Sequence, residues 1–376
     1  MRVAGIMSGT SLDGIDVAIV DISRKRAGVR VEPIAFRSTP YPKLVREAIL
    51  AVSNSMTHTA TIARLHFLLG ELYAAAIRET CRRTRVPLDS IVLAGMHGQT
   101  IFHEANPIEY LGHRVASTMQ IGEAAVVAER TGLWTISNFR ERDMAAGGKG
   151  APLVPNVDYL LFRHRRIGRI ALNIGGIANI TVLPPDAARE DIVAFDIGPG
   201  NMVIDALVAH HTRNSQTYDR GGRIARAAKI HPRLLDSMLS DPYFKLNPPK
   251  ACGREQFGKE YVTGLIATGL PVPDLIATAT ELTAQTIAQA IAKYDRIDEV
   301  LASGGGVHNR QLMRRLRELL KPKLTTTADH GIDPDAKEAI AFAILAYEFM
   351  HRRPGNLPHA TGARHAVLLG KDSPVS

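Results

Sequence analysis

Hydrophobic and polar positions set a repeating grammar along this chain. "VAGIM", "IDVAIVDI" and "VRVEPIAF" are short apolar runs with β-branched residues at alternating positions, which predicts three strands joined by turns, the first turn over residues 8–14. The pattern then changes to apolar residues three and four apart, predicting helices over 42–53 and 59–84. "SIVLAGMHGQT" reads as a buried strand with a polar, Gly-containing end, "IGEAAVVAERTG" as a short helix closed by Gly132, and "LWTISNF" as a fifth strand. The second half repeats the order. "RIALNIGGIANITVLP" is strand, Gly-Gly turn, strand, and "IVAFDIGPG" is a third strand ending in glycines. Helices over 201–212, 274–294, 309–320 and 334–349 alternate with the strands "EVLASGGG" and "KLTTTA", after a polar and basic excursion. Two units that each open on a Gly-bearing hairpin predict an α/β protein of two related domains. The boundary is set at 166/167, in the basic stretch 163–169, with the last residues left open to pack back on the first domain.

Composition narrows this picture. The 376 residues are too many for one ordinary core, and 45% hydrophobic with 22% charged residues is the balance of a folded soluble chain. Cys81 and Cys252 are the only cysteines, which argues against a disulfide scaffold or structural zinc and for a reducing, cytoplasmic compartment. The first strand begins at Val3, leaving no room for a leader, and the sequence shows no run of apolar residues long enough to span a membrane. A net charge of +9 suits an anionic partner. The basic residues are scattered and the aromatic ones, 5%, are not interleaved with them, so a nucleic-acid surface is not expected.

The two glycine-rich turns carry the candidate chemistry. Glycine lets a ligand approach the backbone, whose N–H groups, with Ser and Thr hydroxyls, can donate to phosphate oxygens. Asp13 and Asp16 beside the first turn make sense next to phosphate if Mg²⁺ lies between. No GxxxxGK[ST], GxGxxG or HExxH stretch is present, which removes P-loop, nicotinamide and zinc-hydrolase readings. Taken alone, either turn could equally be an ordinary hairpin connection.

The duplicated hairpins resemble the acetate and sugar kinase, Hsp70 and actin superfamily. Within it, "GIMSGTSLDGID", "HGQT", "QIGE", "FRERDMAAGGKGAPLVP", "NIGGIANIT", "FDIGPGN", "SGGGVHN" and "KEAIAFAILA" resemble, in that order, the anhydro-N-acetylmuramic acid kinase family. Two departures stand out: Lys149 where the family pattern has Gln, and Ser303 where it has Cys. The resemblance implies two actin-like (ribonuclease H-like) domains around a nucleotide and substrate cleft. It also implies ATP, a divalent ion, 1,6-anhydro-N-acetylmuramic acid as substrate, and a homodimer.

Roles follow from the resemblance, residue by residue. Gly9, Thr10, Ser11, Leu12, Asp13, Gly14, Ile15 and Asp16 match the first phosphate loop, with Asp13 and Asp16 toward the metal, directly or through water. Gly175, Gly176 and Asn179 match the second phosphate clamp, and Gly304, Gly305, Gly306 and Asn309 the adenosine contact. Asp196 in "FDIGPGN" matches the catalytic base that takes a proton from the attacking water, with indirect metal binding as its alternative role and Asp13 as a helper. His97, Gln99, Arg140, Asp143 and Glu338 are the substrate candidates, Arg140 for a carboxylate by its planar fork. Each of the first four could instead be a buried polar residue tying loops together, and Glu338 could instead suit the dipole at a helix N-terminus. A plain sugar kinase and a nucleotide-switched binding protein are the rival readings. The second would need an appended client domain or polymer-forming insertions.

Overall fold

The structure is a computed structural model that describes residues 1–9, 12–25 and 28–375. It divides into two compact units, residues 1–161 with 336–376, and residues 162–335.

The first unit is built on β1 (Arg2–Ser8), β2 (Gly14–Lys25), β3 (Gly28–Pro40), β4 (Leu93–Tyr110), β5 (His113–Ile121) and β6 (Trp134–Ser137). The second carries β7 (Arg169–Ile174), β8 (Ile177–Leu183), β9 (Val193–Pro199), β10 (Glu299–Ser303) and β11 (Lys323–Thr326), and β12 (Lys371–Ser373) returns to the first. The main sheet of the first unit runs β12-β6-β4-β1-β2-β3; that of the second runs β11-β10-β7-β8-β9. In both, the first three strands are antiparallel neighbours, and two later strands, β4 then β6 in one and β10 then β11 in the other, extend the sheet in parallel from the first. The run β6-β4-β1-β2-β3 therefore has the same order and directions as β11-β10-β7-β8-β9. Two related α/β domains are the fold, as the repeated grammar predicts.

The helix Lys337–Met350 shows how glycine decides packing. Gly5 on β1 and Gly95 on β4 are register partners, and the helix crosses directly over them. A Cβ on Gly5 would stand 1.9 Å from the Ala339 carbonyl oxygen, and one on Gly95 2.2 Å from that of Phe342. Only a side-chain-free pair lets the helix backbone sit this close. The helix was expected to complete the second half of the chain; it lies with the first unit, together with everything after it.

The helix Thr59–Thr84 is long and apolar enough, by length and composition, to cross a membrane. Here Leu65, Leu69, Tyr73 and Ile77, each four apart, are buried in the core of the first unit, packed with Ile6, Met96 and Ile121. The sequence reading stopped the fourth strand at its polar end. In the structure β4 runs on to Tyr110 and turns back into β5, forming a ribbon. Pro107, which argues against a strand, falls in the irregular stretch between Glu104 and Ile108 where the ladder is interrupted.

Candidate active site

In the second unit one polar row crosses four strands. Ser303, Asn173, Asn179 and Asp196 are successive register partners on β10, β7, β8 and β9. Register partners point to the same face. Asn173, Asn179 and Asp196 are half-buried, and Ser303 is buried with its hydroxyl donating to the Leu172 carbonyl at 3.2 Å.

Asp196 is held on three sides. Its backbone N–H donates to Lys250 O (3.1 Å), its carbonyl accepts the Tyr243 hydroxyl (2.7 Å), and Oδ2 accepts the Cys252 N–H (3.2 Å). Oδ1 makes no hydrogen bond to the described residues. Burial pushes the carboxyl up from 3.8 to about 6; Glu255 adds to the rise, while the Cys252 N–H and Lys250 oppose it. Such a group loses its proton near pH 6, with one oxygen that has no hydrogen bond among the described residues.

The glycines beside this row sort into two kinds. The turn at Gly175 and Gly176 is packed by backbone: Gly200 N–H donates to Gly176 O and Asn201 N–H to Gly175 O, both at 2.8 Å. Gly304 has φ +80°, and a Cβ on Gly306 would stand 2.3 Å from Ile174 Cγ2. These two are glycine because the fold needs it. At Gly175, Gly176 and Gly305 the nearest atom to an added Cβ is 3.7, 3.8 and 3.9 Å away, ordinary contact, and none has a positive φ. The fold alone does not require glycine at those three. They leave space that a Cβ would fill, which is what backbone-to-phosphate or backbone-to-ring contact needs. Asn309 is buried, and its Oδ1 caps the helix Arg310–Leu319 by accepting Leu312 N–H at 3.0 Å.

In the first unit the turn after β1 closes with Leu12 N–H donating to Gly9 O (3.2 Å). Leu12 has φ 59°, unusual for a branched residue, and its buried side chain anchors the turn in the core. Thr10 and Ser11 lie outside the described residues. Gly14 and Ile15 open β2, where a Cβ on Gly14 would meet Thr39 O at 2.4 Å. Asp13 is exposed and Asp16 half-buried. Among the described residues no group of three or more His, Cys, Asp or Glu side chains is placed to hold a metal ion.

Arg140, His97 and Glu338 come together beside them. Arg140 Nε and Nη2 point at His97 Nε2 (3.0 and 2.8 Å) and Nη1 donates to Gly150 O (2.7 Å). Two of the five guanidinium N–H groups have no partner among the described residues. Burial and the neighbouring guanidinium push His97 down to about 3, so the ring is neutral and Nε2 is the acceptor. Its face packs on Phe342, with centroids 4.8 Å apart. Arg140 is itself lowered to about 10 by burial, against the pull of Glu141, Glu338 and Asp143. Glu338 is raised by burial and by Asp16, with Lys337 and Arg140 opposing.

Gln99 and Asp143 are enclosed by protein, 1% and 0% exposed. Gln99 Oε1 accepts the Ser8 hydroxyl, which also meets Tyr41 Oη at 2.6 Å. Asp143 Oδ1 accepts from Asn356 Nδ2 and Thr361 Oγ1, both 2.7 Å, and Oδ2 from Gly150 N–H at 2.8 Å. It thereby fixes the very residue whose carbonyl holds Arg140. Lys149 is exposed, and only its backbone N–H is engaged, with Thr361 O at 2.8 Å.

Sequence reasoning missed Asn173, Tyr243, Lys250 and Cys252. Asn173 was legible, a polar residue inside an apolar strand two residues before the Gly-Gly turn. The other three lie in the long polar excursion and reach Asp196 only through folding.

The family model described as Anhydro-N-acetylmuramic acid kinase matches residues 1–374. Two curated relatives carry that same description. One, from Caldanaerobacter subterraneus subsp. tengcongensis, is 44% identical over 99% of this chain and 96% of its own length. The other, from Bacillus cereus, is 43% identical over 98% of both. Among solved structures, the activator of 2-hydroxyisocaproyl-CoA dehydratase from Clostridium difficile aligns at TM-score 0.45 and 13% identity, covering 93% of this chain and 95% of that one. A ROK hexokinase from Thermus thermophilus aligns at TM-score 0.36 and 13% identity, over 93% and 99%.

Proposed function

The chain belongs to the anhydro-N-acetylmuramic acid kinase family, and from that membership we propose how its residues divide the work. The protein is an ATP-dependent kinase that converts 1,6-anhydro-N-acetylmuramic acid and water to N-acetylmuramic acid 6-phosphate and ADP, in the recycling of peptidoglycan. The bond from the anomeric carbon to O6 breaks, water adds at that carbon, and O6 receives the γ-phosphoryl group.

Asp196 is the base that takes the water's proton. The observation that carries this is an Oδ1 with no hydrogen-bond partner among the described residues, on a carboxyl raised to about 6, close to the pH at which a base is most effective. Because the phosphoryl group takes the place of a proton on the leaving oxygen, one carboxylate serves where ordinary glycosidases need two. Gly175 and Gly176, with Asn179 behind them, offer backbone to phosphate, and Gly304, Gly305 and Gly306 offer it to adenosine. Asn309 supports that last loop as a helix cap. Gly9 to Asp16 serve as the first phosphate loop.

Asp13 and Asp16 suit Mg²⁺ held through water, since that ion commonly keeps most of its shell and takes only one or two carboxylates. When bound it neutralises charge on the phosphate oxygens. The two N–H groups of Arg140 without a partner among the described residues take the lactyl carboxylate, and neutral His97 orients the guanidinium. Glu338 faces the sugar; Gln99 and Asp143 hold the walls behind it. We read the enzyme as a cytoplasmic homodimer, with no nucleic acid or membrane as partner.

The test is where the water goes. Turnover in ¹⁸O water, read before ring opening exchanges the label, should mark the anomeric hydroxyl and leave the phosphate unlabelled. Asp196→Asn should lower kcat by about 10²–10⁴-fold while ATP still binds. Label in the phosphate, or a nearly active Asn variant, would remove Asp196 from this role. A plain kinase, with Asp196 acting on a sugar hydroxyl, leaves no label at the anomeric carbon.

A further inference from the structure

β9 is the edge strand of its sheet, so one row of its backbone groups faces away from β8. At Asp196 that row is filled by a single segment from far along the chain. The N–H of Asp196 meets Lys250 O, its carbonyl meets the Tyr243 hydroxyl, and its Oδ2 meets Cys252 N–H. The segment also closes on itself. Lys250 Nζ donates to Tyr243 O at 3.1 Å and sits 4.4 Å from the centroid of the Tyr243 ring. It is 5.9 Å from the ring of Phe195, the residue before Asp196. Below, Tyr243 packs edge-on against Phe244 and Phe257, which stack with centroids 5.8 Å apart, and Phe257 is fully buried.

We propose that residues 243–252 form a clasp that fixes Asp196 in its working position, with Tyr243 and Lys250 as positioning residues for the reaction. This rests on Asp196 being the base. The clasp does two things to it. It uses one carboxylate oxygen, which aims the other, and it places a cation near a carboxyl that must ionise. Among the described residues the remaining groups facing Asp196 are few. Glu255, whose carboxylate folds back toward Gly253, opposes ionisation. The Cys252 thiol, pushed up to about 12 by burial, stays neutral, as does the Tyr243 phenol, also raised by burial. β8 contributes the uncharged Asn179. The helix Val272–Ile291 meets the end of β9 through the Thr283 hydroxyl, which donates to Pro199 and Gly200 carbonyls.

The experiment compares Tyr243→Phe, Lys250→Met and Lys250→Arg with Asp196→Asn in the full-length enzyme, recording kcat, both KM values and the pH profile. Tyr243→Phe keeps the ring and removes only the hydroxyl; kcat should fall about tenfold with KM for ATP unchanged, the loss of one buried hydrogen bond. Lys250→Met should lower kcat similarly and move the acid limb upward by about half a pH unit, because a nearby cation no longer favours the carboxylate. Lys250→Arg should restore both. If Asp196→Asn is inactive while Tyr243→Phe and Lys250→Met keep wild-type kcat and acid limb, the clasp is wrong and the base stands. An active Asp196→Asn overturns both. Should Lys250→Met fail to fold, Tyr243→Phe decides alone by its split between kcat and KM.

Discussion

Asp196 sits in surroundings that disfavour its charge, and this has a consequence for stability as well as for rate. Its proton is held up to about pH 6 in the folded protein, against 3.8 as its ordinary value. Between those values the unfolded chain gives up a proton that the folded one keeps, so stability falls as pH rises through this window and stays lower above it. Asp196→Asn removes that penalty. Its melting temperature should exceed wild type at pH 7.5 and lie much closer to it at pH 4.5, measured by calorimetry or thermal shift; an equal difference at both pH values would contradict the raised carboxyl. Arg140 makes the second residue-scale prediction. A charge-assisted hydrogen bond contributes about 1.5–3 kcal/mol. Anhydro-N-acetylglucosamine, which lacks the lactyl carboxylate, should therefore be turned over roughly ten- to a hundredfold less efficiently. Arg140→Lys should lose this discrimination, because a point charge cannot reach His97, Gly150 and a carboxylate together. Equal turnover of both sugars by the wild type would unseat Arg140.

Elements separate glycines that the fold requires from glycines that it does not. Gly5 and Gly95 lie under the helix Lys337–Met350, and an added methyl would run into its backbone. Gly5→Ala or Gly95→Ala should destabilise by about 3 kcal/mol or more, because neither sheet nor helix can yield without moving the other. Gly175→Ala and Gly176→Ala should leave the melting temperature almost unchanged and raise KM for ATP or lower kcat. Thermal melts beside steady-state kinetics read both halves of this contrast. If the two pairs behave alike, the assignment of the second turn to phosphate fails. Most elements were legible from their periodicity: the helices expected over 42–53 and 59–84 are found at Lys43–Val52 and Thr59–Thr84. The β4–β5 ribbon was not, since Asn106 and Pro107 interrupt its pattern and half of it faces solvent.

The whole molecule carries a net charge of +9, while both of its substrates are anions. Long-range attraction raises encounter rates and is screened within a Debye length of about 8 Å at physiological salt. Raising ionic strength with a neutral-pH monovalent salt should lower kcat/KM for ATP and for the sugar and leave kcat at saturation nearly constant. A salt-independent kcat/KM would mean that the scattered basic residues do not steer.

Alternation of apolar residues and two Gly-bearing hairpins in order along the chain determined the α/β class and the duplication, and eight motifs in order carried the resemblance to the family, because all of these depend on neighbours in sequence. The glycine turns and Asp196 could be singled out on the same ground. Tertiary structure decided what depends on distant neighbours. Gly5 and Gly95, with nothing special in their flanks, turned out to admit a helix from more than 240 positions away. Gln99 and Asp143 resembled Arg140 as polar candidates, yet packing encloses them while Arg140 keeps donors without a partner among the described residues. Tyr243, Lys250 and Cys252 gained their connection to Asp196 only when β9 became an edge strand whose open backbone needed a partner. An unpaired backbone group at a half-buried position is costly, and which segment meets that need is not written in the local pattern of either one.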